Sequence, residues 1–137
     1  MTEEVSDMGA AENAEVVRRG YEAFNAGDLA TLGELFAEDA VWYAAGNGPL
    51  SGTKQGRDAV MAYFGELGAR SQGSFQATVQ DVVGGDSHTV GIQQTRAENN
   101  GKTLDMATVI VFVLRDGVVV EGREFFEDPA KSDEFWA

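Results

Sequence analysis

Few side chains in this sequence can do chemistry, and the missing ones narrow the choice first. There is no cysteine and a single histidine, His88. Disulfides, thiolate zinc sites, cysteine nucleophiles and multi-histidine metal clusters are therefore excluded. A metal would have to be held by carboxylates alone, and no calcium-loop spacing occurs. What remains is acid–base chemistry by a carboxyl group, and Glu124 is the strongest candidate. Strand alternation puts Val120, Gly122, Glu124 and Phe126 on one face. Turned inward, that face would set Glu124 among Trp42, Phe64 and Phe126. Burial there raises a carboxyl pKa toward neutrality, where the group can act as general acid or base. The other reading of Glu124 is an ion pair with Arg96 or Arg57 at a pocket mouth.

Other groups are weaker candidates. Thr89, Gly91, Gln93 and Thr95 form a polar strip opposite Val90 and Ile92, and from it Gln93 can hydrogen-bond a ligand carbonyl. Trp42 and Tyr43 are neighbours on one short strand, so one of the two faces inward. Trp42 is taken as pocket wall, and Tyr43 as a rim or subunit-contact residue. Either Tyr43 or Gln93 would supply a hydrogen bond to a developing oxyanion. Tyr63, beside Phe64, reaches the pocket from a helix or belongs to the core. Asp105 lies near a hairpin turn and is expected in solvent. His88 follows Gly85-Asp86-Ser87 and is expected as an exposed strand start; no spacing orients Ser87 and His88 into a triad. Gly46-Asn47-Gly48-Pro49-Leu50-Ser51-Gly52 lacks the setting of a dinucleotide loop and is read as a flap over the pocket mouth.

These groups must be positioned by one domain, since 137 residues with 43% hydrophobic content leave room for one core. Residues 1–12 carry Glu3, Glu4, Asp7 and Glu12 without a basic residue, unlike acid-poor signal and transit peptides. They are expected to be a flexible acidic tail ahead of a single domain over 13–137. Nothing approaches the ~18 consecutive apolar residues of a membrane span. The formal charge of -13, with Lys and Arg scattered, argues against a nucleic-acid partner. The default location is cytoplasmic.

Val17, Tyr21 and Phe24 recur at helical spacing over Ala14–Phe24. Asp28 can cap a second helix bearing Leu29, Leu32, Leu35 and Phe36, and Ala40–Ala44 reads as a strand. A third helix runs over Arg57–Leu67. Four strands follow, at Ser74–Val83, His88–Glu98, Lys102–Leu114 and Val118–Phe126, with Pro129 stopping the last. Their tight Gly- and Asn-Gly-containing turns require antiparallel pairing. Val109 to Leu114 shows no polar alternation, so both its faces need cover. The helices cover one face; the other calls for a second subunit, giving a homodimer through the sheet.

Helix hairpin, strand, helix and four-stranded meander is the order of the nuclear transport factor 2-like superfamily. The residues resemble it more sharply. Tyr21-Glu22-Ala23-Phe24-Asn25-Ala26-Gly27-Asp28-Leu29 with Leu35-Phe36-Ala37-Glu38-Asp39-Ala40-Val41 is similar to its opening signature. Gly56-Arg57-Asp58-Ala59-Val60 is similar to its third-helix start, and Asp116-Gly117 with Arg123-Glu124-Phe125-Phe126 to its closing strand. The resemblance spans roughly Ala14 to Asp128. It is nearest to the branch of SnoaL-like polyketide cyclases and limonene epoxide hydrolases. It implies an α+β fold, a cone-shaped, curved antiparallel β-sheet wrapped around three N-terminal helices with an internal apolar pocket.

The resemblance also implies which chemistries are gone. The steroid-isomerase aspartate base, oxyanion tyrosine and second aspartate fall at Ala44, Gly20 and Val109 or Ile110. The epoxide-hydrolase relay falls at Gly91, Gln93 and Glu124, and its water-holding tyrosine and asparagine at Trp42 and Ala44. One carboxylate of that relay survives. SnoaL-like cyclases need a single acid–base group, because their substrate carbon is already acidic. The resemblance therefore implies an isomerase- or lyase-type enzyme that cyclises, isomerises or dehydrates a hydrophobic carbonyl or polyketide-type small molecule. Glu124 would be catalytic, Trp42, Tyr43, Tyr63, Phe64, Gln93 and Phe126 would bind substrate, and no cofactor or metal is called for. The alternative is a non-catalytic small-molecule binding protein of the same fold, with an epoxide hydrolase less favoured.

Overall fold

The structure, a computed structural model, describes residues 2–137, with side chains described from residue 9 onward. The elements run α1 (Thr2–Asn25), α2 (Leu29–Glu34), β1 (Phe36–Ala44), β2 (Gly52–Gln55) and α3 (Arg57–Arg70). They continue with β3 (Gln76–Gly84), β4 (Thr89–Asn99), β5 (Lys102–Arg115), β6 (Val118–Phe126) and α4 (Pro129–Trp136). The acidic segment expected as a tail over 1–12 falls within α1 from Thr2, while Met1 lies outside the described residues. Ala10, Ala11 and Glu12 are strong helix formers, so nothing stops the helix at Ala14. Gly27, at φ +73°, ends this segment, and Asp28 caps α2 by accepting from the Thr31 N–H at 3.1 Å. Phe36 belongs to β1 and not to the second helix, because it is already paired with Val119 of β6. Among the described residues no helix is long and apolar enough to cross a membrane.

The sheet has six strands in the order β2-β1-β6-β5-β4-β3. The meander β3 to β6 is antiparallel throughout. The sheet as a whole is mixed, which corrects the all-antiparallel expectation, since β1 lies parallel to β6. No tight turn joins those two strands, so nothing local dictates their relative direction. The short strand β2, which begins where the Gly46–Gly52 segment ends, hydrogen-bonds the outer edge of β1.

A second correction concerns the inner face of β6. Val113 pairs with Glu121 and Leu114 with Val119, so Val120 is an extra residue in β6. The bulge turns Val119 inward in place of Val120, and leaves Gly122 and Glu124 buried on the inner face as alternation requires. The inner faces of β4 and β5 alternate just as regularly, with Gln93, Thr95, Thr108 and Ile110 all buried. Beyond β6, Pro129 does more than stop a strand. It opens α4, whose cap residue Asp128 accepts from the Lys131 N–H at 3.1 Å. Phe135 and Trp136 of this helix are buried, and Trp136 stacks on Phe75 with ring centroids 6.1 Å apart.

Two inward glycines make room for large rings. A methyl group at Gly122 would overlap the Trp42 indole, and one at Gly91 would overlap the Tyr21 phenol. Gly122→Ala is therefore expected to destabilise the fold by about 1–3 kcal/mol through overpacking. Gly68→Ala, in α3 with nothing within 4 Å of the new methyl, should instead be neutral or stabilising by roughly 0.5–1 kcal/mol. Urea unfolding of the two variants beside the parent measures both.

Candidate active site

Glu124 is built into place by three other parts of the chain. In the parallel ladder Trp42 lies opposite Gly122, so its indole crosses the vacant glycine position toward the next inward residue of β6. Trp42 Nε1 donates to Glu124 Oε2 at 2.9 Å. From α3, the Tyr63 hydroxyl donates to the same oxygen at 2.8 Å. The Ala45 N–H, just past the end of β1, donates to Oε1 at 3.2 Å. Burial pushes the Glu124 carboxyl above its ordinary value of 4.5; the donors Trp42, Tyr63 and Ala45 and the Lys54 charge pull it back only in part. Burial, reinforced by the charge of Glu124, holds the Tyr63 phenol well above its ordinary range, so Tyr63 stays a neutral donor.

The expected ion pair of Glu124 with an arginine does not form. Arg57 donates to the Phe36 carbonyl at 3.4 Å, and Arg96 pairs with Asp105 at 3.3 Å on the surface. Lys54 is the cation whose charge reaches Glu124, with its Nζ 5.3 Å from the centre of the Tyr63 ring.

The cavity around Glu124 holds, its open mouth included, about 800 Å³ of empty space. Trp42, Tyr63, Phe64, Gln93, Phe126 and Glu124 all line it. Tyr43 does not. Alternation turns it to the outer face of β1, where the Arg123 guanidinium sits 3.9 Å from its ring centre. It is thus neither wall nor oxyanion donor. Ser87 and His88 share a 2.8 Å hydrogen bond on the exposed surface, away from the cavity. The Gly46–Gly52 flap is tied down: Asp133 of α4 accepts from the Asn47 N–H with both oxygens, at 2.9 and 3.0 Å.

Several cavity residues went unread in the sequence. Tyr21 donates to Gln93 Oε1 at 2.8 Å from within the apolar stripe of α1. A phenol in such a stripe needs a buried partner, and that was the available signal. Thr108 continues the network by bonding Thr95 at 2.9 Å. Ser132 and Trp136 come from α4, which Asp128 followed by Pro129 announces as a cap and first-turn pair. Lys54 left no signal, because its strand is defined only by pairing with β1.

A six-stranded sheet packed with helices around a cavity places the molecule among the cystatin-like, nuclear transport factor 2-like α+β proteins. Within them the chain belongs to the SnoaL-like domain family, whose sequence model matches residues 17–122. It is 35% identical over 124 residues to the uncharacterized protein Rv0034 of Mycobacterium tuberculosis, covering 90% of this chain and 95% of that one. The structure of Bal32a, from a soil-derived mobile gene cassette, is similar at a TM-score of 0.91 and 45% identity, covering 93% of this chain and 98% of that one. A structure described as a candidate SnoaL-like polyketide cyclase from Jannaschia sp. CCS1 shares the fold at a TM-score of 0.76 and 19% identity, over 93% and 94% of the two chains.

The raised Glu124 pKa sets a pH dependence of stability. Above 4.5 the folded state keeps a proton that the unfolded chain has released, so this residue's contribution to stability falls as pH rises. Glu124→Gln carries no such titration. The stability of the parent minus that of Glu124→Gln should therefore decline with pH above 4.5 and level off once folded Glu124 is ionised. Urea titrations across that range measure the difference, and a flat profile contradicts the assignment.

Proposed function

We propose that this chain is a cofactor-independent acid–base enzyme that cyclises, isomerises or dehydrates a hydrophobic carbonyl or polyketide-type small molecule. One observation carries the reading. Glu124 is the only carboxyl group lining the cavity among the described residues, and it is buried there at a raised pKa. As carboxylate it takes a proton from carbon next to the ligand carbonyl; the C–H electron pair becomes a C=C bond as the carbonyl π pair moves onto oxygen. The acid so formed returns the proton to carbon, or to a departing hydroxyl in a dehydration. Trp42 and Tyr63 orient the carboxyl, Phe64 and Phe126 pack the ligand, and Gln93 hydrogen-bonds the developing oxyanion.

A non-catalytic binding protein of this fold is the second reading. It is favoured by Glu124 already accepting three hydrogen bonds from the protein. Exchange of the C1 protons of 2-tetralone in D2O, followed by NMR, separates the two. The enzyme reading expects acceleration by the parent and a loss of about 10²–10⁴-fold in Glu124→Gln, with ketone binding kept. Binding without acceleration in the parent supports the second reading.

We also propose that the outer face of the meander is covered by a second copy of the chain. Val90, Ile92, Val109, Val111 and Val113 lie along it only half-buried, and Phe125 is 51% exposed. Val111, paired with Val90 on one side and Arg123 on the other, sits within that strip. Light scattering should report a dimer for the parent and a folded monomer for Val111→Lys. A parent that is monomeric at high concentration refutes the arrangement.

A further inference from the structure

A second polar feature of the cavity stands apart from Glu124. Tyr21, Gln93, Thr95 and Thr108 are all buried, and all line the cavity. They form one string: Tyr21 to Gln93 at 2.8 Å, Gln93 to Thr95 at 2.9 Å and Thr95 to Thr108 at 2.9 Å. Two chain features hold it. Gly91 leaves the space that the Tyr21 phenol occupies, and Gln93 faces Thr108 directly in the β4–β5 ladder.

The hydrogens of this string do not balance internally. One tyrosine hydroxyl, two threonine hydroxyls and one carboxamide supply five hydrogens, by their chemistry. The string's three bonds consume three of them, and these four side chains have no other side-chain hydrogen bond among the described residues. Reversing the Gln93 amide does not change the count. With the amide oxygen toward Tyr21, the unspent hydroxyl hydrogen is on Thr95 or Thr108. With the nitrogen toward Tyr21, it is on Tyr21. In both cases one Gln93 N–H is unspent as well. A buried hydrogen-bond donor needs an acceptor, and the space these groups border is the cavity. The string carries no formal charge, and burial keeps the Tyr21 phenol protonated.

We propose that Tyr21, Gln93, Thr95 and Thr108 form a recognition subsite for the uncharged carbonyl oxygen of the ligand. The subsite deepens the carbonyl-ligand reading made above and rests on it, although it does not require turnover at Glu124. Thr108 lies beside Phe126 in the β5–β6 ladder, two residues along the inner face from Glu124. The charge of Glu124 also reaches the Tyr21 hydroxyl. A ligand held by its oxygen on the string therefore has its hydrocarbon body over Phe126 and Phe112 and its neighbouring carbon within the field of Glu124. The ligand class is a neutral, largely apolar ketone of fused or aromatic rings.

The test uses 1-tetralone and tetralin, which differ by one carbonyl oxygen, with binding read from tryptophan fluorescence, because Trp42 and Trp136 both line the cavity. The parent should bind the ketone about three- to tenfold more tightly than the hydrocarbon, the worth of one net hydrogen bond. Thr108→Val and Gln93→Met, close in shape to the originals, should each shrink that preference while leaving tetralin affinity within about twofold, and the double variant should abolish it. Glu124→Gln should keep it. Equal affinities in the parent, no saturable ketone binding, or a preference that survives the double variant would each overturn the proposal. So would a preference lost in Glu124→Gln alone, which would place the oxygen at the acid. Failure of the exchange reaction with the ketone preference intact would remove the enzyme reading and leave the subsite standing.

Discussion

A carboxyl group enclosed by aromatic rings is the constraint around which this molecule is arranged. Leaving such a group without partners in an apolar interior is among the more destabilising things a fold can do. The structure answers with donors from three places: an indole on β1, a phenol on α3 and a main-chain N–H just past β1. Each donor imposes an architectural condition. Trp42 requires β1 to run beside β6, and the vacant Cβ position at Gly122 lets the indole lie across it. Tyr63 requires α3 to pack over the same stretch. The parallel β1–β6 pair is thus the geometric condition for holding the acid.

The remaining inner surface obeys a related rule. Tyr21, Gln93, Thr95 and Thr108 bond to one another, and no fully buried side-chain nitrogen or oxygen among the described residues lacks a partner. Gln93 illustrates this. It stands on the inner face of β4, flanked by the vacant position of Gly91 and by Thr95, and it bridges the phenol that enters over Gly91 to the hydroxyl beside it. The cavity therefore presents two kinds of polarity. One group titrates, and one neutral network does not. Such a division suits chemistry in which a proton moves at one atom while another atom is held still.

Local physics made the meander legible. Asn100-Gly101 and Asp116-Gly117 each place two successive residues at positive φ, between 50° and 84°, which is the backbone that joins tightly turned antiparallel strands. Period-two alternation then turned Glu124 and Phe126 toward the interior. It misplaced Val120, because a bulge cannot be read from alternation alone. What stayed hidden was set by long-range pairing. The direction of β1 relative to β6, the existence of β2 and the reach of Lys54 toward Glu124 depend on residues far apart in the chain. Tyr43 shows the limit most simply. Alternation required one of Trp42 and Tyr43 to point in, but it was the Arg123 guanidinium outside and the Glu124 carboxyl inside that sorted the pair.

The last helix completes the enclosure, and its attachment bears on access. Ser132 and Trp136 of α4 form part of the cavity wall, while Asp133 between them grips the Asn47 N–H in the Gly46–Gly52 loop. That grip needs close approach, since a side chain at Gly46 or Gly48 would run into Asp133. Lys102 reinforces the far end by donating to the carbonyls of Glu134 and Ala137. Loop and helix are in this way joined mostly by exposed hydrogen bonds, while the meander is held by continuous ladders and buried side chains. Exposed bonds open at lower free energy than buried ones. Parting Asp133 from Asn47 would free the loop from the helix, while Trp42 and Tyr63 keep the acid fixed to the sheet and α3.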